Sequence, residues 1–118
     1  MDILEILKNA KIELKNRGWG QGDLMKPNGN VCLLGAIGLA SGNVEAVEQE
    51  DHGVFEGEGP AAAAALVVAQ ALGFRSDDAW FTPEPCEVVY NYNDETGRTE
   101  DDVLEALDKA IDSLKVAA

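Results

Sequence analysis

Asn30-Val31-Cys32-Leu33-Leu34-Gly35-Ala36-Ile37-Gly38-Leu39-Ala40 contains no charged residue, and past Asn30 it is apolar throughout. A segment that is apolar all round is buried wherever it sits. Ten residues are too few for periodicity to separate helix from strand. The flanks favour helix: Asn30 is a good N-cap, and Ser41-Gly42-Asn43 is a stop signal. Gly35, Ala36, Gly38 and Ala40 would let another helix approach closely. The rest of the chain should therefore wrap around a buried central helix.

Upstream, residues 2–17 place Ile3, Leu4, Ile6, Leu7, Ala10 and Leu14 at spacings of three and four, which predicts an amphipathic helix stopped by Gly18. Gly18-Trp19-Gly20-Gln21-Gly22 is too glycine-rich for helix, and Trp19 is expected to plug this loop onto the core. Pro27-Asn28-Gly29-Asn30 is a turn, with a small hairpin expected around it. Downstream, residues 45–59 carry six acids and no Lys or Arg, and read as an exposed acidic loop with a short helical turn at 44–50. Pro60 opens an alanine-rich helix that ends at Gly73. Residues 75–85 look irregular, anchored by Trp80 and Phe81, and Glu87 to Tyr92 suggest a short strand. Thr99-Glu100-Asp101-Asp102 resembles a capping box, followed by a helix face of Val103, Leu104, Leu107, Ala110, Ile111 and Leu114. The expected fold is mainly α: a compact single domain of about four helices around the buried central one, with a minor β element.

The 118 residues have 46 % hydrophobic and 26 % charged composition, ordinary for one soluble domain. Such a chain buries roughly two-thirds of its unfolded surface and can build a core without metal or disulfide help. The net charge is −13, and it is uneven: residues 1–40 carry five bases against four acids, residues 41–118 four bases against 18 acids. Direct nucleic-acid binding is therefore not expected, since that affinity comes from Lys and Arg displacing counterions. Anionic membranes would repel the chain for the same reason. A basic protein surface is the electrostatically favoured partner, and the blander account is that the acidity only maintains solubility. Residues 1–17 lack an uninterrupted apolar core, so no signal peptide is expected. The longest apolar run, Ala61 to Ala69, is far below the ~20 residues of a spanning helix. With only two cysteines, Cys32 and Cys86, a reduced cytoplasmic protein is the simplest expectation.

Three groups of residues carry a family likeness: Arg17-Gly18-Trp19, the run Gly29-Asn30-Val31-Cys32-Leu33-Leu34-Gly35-Ala36, and Tyr90-Asn91-Tyr92-Asn93-Asp94 leading through Gly97-Arg98-Thr99. In this order they resemble an uncharacterised domain-of-unknown-function family of actinobacteria and the phages that infect them. The resemblance implies a small intracellular or phage-encoded protein. It carries no established activity and transfers no functional residue.

Candidate chemistry begins at Cys32, which a helix starting near Asn30 would place in the first turn, where the dipole lowers a thiol pKa. His52 is the sole histidine and hence the only imidazole base; Asn93 or Asp94 could orient it, and Gln21 could donate to an oxyanion. The competing account makes Cys32 a small buried hydrophobe, the usual fate of a free cysteine. Cys32, Cys86, His52 and a carboxylate have zinc-ligand chemistry without zinc-motif spacing. Asn91, Asn93, Glu95, Gly97 and Asp102 faintly resemble a calcium loop, but Thr96 and Asp102 stand where that loop wants glycine and glutamate, and an Asx-rich cap fits them better. Neither a metal nor a cofactor is expected. Arg98, alone among many acids, is expected to hold Asp94 or a backbone carbonyl. Trp19, Trp80, Tyr92 and Arg98 are the candidates for a small-molecule pocket. Three functions remain in play: a non-enzymatic interaction protein, a small cysteine enzyme, and a ligand-binding module.

Overall fold

A computed structural model describes residues 2–75 and 84–116. They form six helices: α1 (Ile3–Arg17), α2 (Leu33–Ala40), α3 (Val44–Glu48), α4 (Pro60–Ala71), α5 (Pro85–Asp94) and α6 (Glu100–Val116), with a 3-10 turn at His52–Phe55. The helical class and the buried centre agree with the sequence reading. The number of helices and the β element do not.

All eight residues of α2 are buried, with Leu33, Leu34 and Ile37 fully so. Burying side chains of this size contributes about 2 kcal/mol each. The expected N-cap at Asn30 is displaced to Cys32, whose backbone is extended and whose Sγ accepts the Gly35 N–H at 3.2 Å. The small residues admit neighbours other than a helix. A Cβ on Gly35 would lie 2.1 Å from the Leu24 carbonyl oxygen, so a loop backbone lies against α2 there. Gly38 makes room for Val47 of α3 and Phe55 of the 3-10 turn.

The remaining helices pack around this axis. α1 runs along α2, starting at the Asp2 cap (Oδ1 accepting the Glu5 N–H at 2.8 Å) and ending at Gly18, whose φ of 88° favours glycine. α4 begins with Pro60 in its first turn and packs against both α5 and α6. α6 opens with the expected reciprocal cap: Asp102 N–H donates to Thr99 Oγ1 at 3.2 Å, and Thr99 N–H to Asp102 Oδ2 at 3.1 Å.

Residues 87–92, expected as a strand, lie within α5. Pro85 presets the first helical dihedral, and Cys86, Val89 and Asn93 then face inward at helical spacings. That three-and-four rhythm outweighs the β-branched and aromatic composition. No sheet forms among the described residues. The turn at Pro27–Asn30 is present, but its pairing stops at single bridges, Met25 with Val31 and Trp19 with Val31. The 45–59 stretch is more ordered than a loop, because Val47 and Phe55 are buried and tie it to the core. The anchoring roles expected for Trp80 and Phe81 fall outside the described residues.

Candidate functional site

The segments that carry the family likeness converge on one buried side chain, Asn93, near the C-terminal end of α5. It is the one fully buried polar residue among those described. Its Oδ1 accepts the Trp19 Nε1–H at 2.6 Å and the Leu33 N–H at 2.9 Å. Its Nδ2 donates to the Gly20 carbonyl at 3.1 Å and to Asp94 Oδ1 at 3.0 Å. One amide thus joins the glycine-rich loop, the first turn of α2 and the end of α5. All four of its hydrogen-bonding positions are used, as burial requires.

The surrounding bonds extend this knot. Gln21 Nε2 donates to the carbonyls of Asn93 and Glu95 at 3.0 and 3.1 Å. Asp94 Oδ1 accepts the Gly22 N–H at 3.0 Å, and the Tyr90 hydroxyl donates to the Gly22 carbonyl at 2.5 Å. Arg98 Nε donates to the Tyr92 carbonyl at 2.8 Å; its guanidinium lies 3.6 Å from the centre of the Tyr92 ring and pairs with Glu95. The carbonyl contact matches one of the two roles expected for Arg98. Tyr92 in turn donates to the Asp102 carbonyl at 3.3 Å.

Cys32 is fully buried at the edge of this knot. Burial pushes its thiol up to about 12, against the lowering effect of the Gly35 N–H, and the negative charges of Asp94 and Glu50 add to the rise. The desolvation of a thiolate therefore outweighs the helix dipole. Tyr90 is likewise pushed up to about 12, by burial first and then by the Asp94 charge. The His52 ring stands edge-on to Tyr90 at 5.3 Å and to Phe55 at 6.5 Å. Cys32 and Cys86 are both free thiols.

The side chains named as pocket candidates are already engaged. Trp19 is partly buried against the core with its N–H on Asn93, Tyr92 lies under Arg98, and Trp80 lies outside the described residues. Among the described residues no group of three His, Cys, Asp or Glu side chains is placed to hold a metal ion. Sequence reasoning treated Asn93 only as an orienter or loop ligand and missed its role as a hub. It also missed Glu50. That residue has a φ of 56°, rare outside glycine, and its carboxylate accepts the Leu24 N–H at 2.7 Å and the Met25 N–H at 3.0 Å. The strained backbone is held because those bonds seat Leu24 against α2. No local signal announced it.

The second feature is the surface. Glu45, Glu48, Glu50, Asp51, Glu56 and Glu58 are all exposed. The four ion pairs among the described residues join Lys11 to Asp108, Arg17 to Glu13, Lys26 to Asp23 and Arg98 to Glu95, and none involves these six. Glu84 and Glu87, at the start of α5, are exposed as well and form no ion pair among the described residues. No described helix is long and apolar enough to cross a membrane.

No curated protein and no solved structure matches the chain. A family model does match, over residues 1–113, so the chain belongs to the family of unknown function DUF6197.

Proposed function

We propose that this protein is a non-enzymatic binding module whose acidic face, built from residues 45–58 and the first turn of α5, engages a basic protein surface. The observation that carries this reading is the set of eight exposed carboxylates there, none of them in an ion pair with Lys or Arg among the described residues. Like charges without counter-ions raise the local potential and speed encounter with cations. The same charge disfavours nucleic acid and anionic membranes as direct partners. A cytoplasmic accessory protein of an actinobacterium or its phage, acting on a host factor, fits this description. A thiol kept neutral by burial, and an indole and a phenol already spent on internal contacts, lend no comparable support to a cysteine enzyme or a metabolite pocket.

Affinity capture from an actinobacterial lysate tests the reading. A basic protein should be retained at about 50 mM NaCl and released at about 500 mM, where screening shortens the Debye length several-fold. Capture should fail with E45K/E48K/E56K/E58K, four exposed reversals that leave the core untouched. An empty eluate at low salt would refute the reading.

A further inference from the structure

Two of the exposed carboxylates, Glu58 and Glu84, border an apolar trough. Phe55, Ala62, Leu66 and Pro85 floor a cleft of about 240 Å³, with Glu58 and Glu84 at its mouth. Glu56 and Glu87 stand close by: with Glu84, their charges add to the burial that raises the Cys86 thiol at the start of α5. A second cavity of about 550 Å³ opens between the start of α1, the start of α4 and Leu114 of α6. It shares Glu58 and Ala63 with the first, so the two are neighbours along the first turns of α4. Among the described residues, no Lys or Arg lines either cavity.

Size and charge together select the occupant. The smaller cleft falls below the roughly 300–1,000 Å³ of a small-molecule site, so it suits one protruding apolar side chain rather than an enclosed metabolite. The anionic rim excludes acidic segments and favours flanking cations. Apolar anchors flanked by charge at helical spacing are the pattern of helix-in-groove recognition. Resting on the acidic-face reading above, we propose that this trough docks a cationic amphipathic segment of a protein partner. One of its apolar side chains enters the cleft between Phe55, Leu66 and Pro85, and neighbouring Lys or Arg side chains meet Glu56, Glu58, Glu84 and Glu87.

The probe is a fluorescein-labelled synthetic helix of about four turns, with leucine on one face and lysine on the other. Its control has every leucine replaced by serine at the same net charge. Anisotropy titration of the full chain at about 150 mM NaCl should give at least about ten-fold tighter binding for the leucine probe. E58K/E84K, at two exposed positions, should weaken the leucine probe about ten-fold, and Leu66→Gln about five-fold while leaving the serine control unchanged. Equal affinity for the two probes, with E45K/E48K as damaging as E58K/E84K, would overturn the trough yet leave the diffuse acidic face standing. Leucine-probe binding untouched by every variant would overturn the trough as well. Absence of any binding, even at about 50 mM NaCl, would remove both readings.

Discussion

Replacing Asn93 by alanine strands three groups at once. The Leu33 N–H loses its acceptor in a fully buried position; in half-buried ones the Trp19 Nε1–H loses its acceptor and the Gly20 carbonyl its donor. A buried donor left without a partner costs about 1–3 kcal/mol. Taking about 2 for Leu33 and about 1 for each half-buried group, which water can partly reach, gives about 4 kcal/mol. For a domain of this size that lowers the melting temperature by about 15 °C, and it removes much of the 5–15 kcal/mol that typical domains possess. Urea unfolding followed by far-ultraviolet circular dichroism measures it, with an unchanged slope confirming that stability alone has moved. Trp19→Phe supplies the second arm. Alone it removes one donor and costs about 1 kcal/mol; combined with Asn93→Ala it should cost almost nothing more, a coupling of about 1 kcal/mol. Asn93→Asp supplies the third. A carboxyl buried beside Asp94 is raised above its unfolded value near 4. Its contribution is therefore present below that pH and lost as pH rises, so this variant should fall furthest behind the parent at pH 7 and recover toward acid. An Asn93→Ala penalty below about 1 kcal/mol, or fully additive changes, would show that the amide does not join these segments.

Three further outcomes follow from the same packing. Gly35→Ala should destabilise by about 3 kcal/mol or more, because its Cβ would meet the Leu24 carbonyl at 2.1 Å and backbone cannot yield as a side chain can; a urea midpoint at the parent value would contradict that contact. Cys32 and Tyr90 both have folded values near 12, above their ordinary 9.0 and 10.0, so the stability they contribute is complete below about pH 9 and is lost as pH rises toward 12. An alkaline melt should show this. Alkylation of Cys32 at neutral pH, read by peptide mass, should require unfolding; rapid labelling of the native chain would place the thiol in solvent.

Local physics reaches far in this chain. α1, α4 and α6 are legible because periodicity, a proline at the first turn and side-chain caps act within four residues of where they stand. The burial of residues 31–40 is legible for a simpler reason: a segment without polar side chains has nowhere else to go. The strand expected at 87–92 failed because β-branched and aromatic composition describes a preference for half-buried surface in general. Whether that surface belongs to a sheet or a helix depended on Pro85 and on the inward face of Cys86, Val89 and Asn93. The centre of the candidate site was out of reach altogether. Asn93 bonds to residues 60, 73 and 74 positions away, and no window of sequence contains such a set. The same holds for the sign of the Cys32 shift. The helix dipole can be read from a position near a helix start, whereas desolvation is set by every element that closes over the thiol, and here desolvation wins.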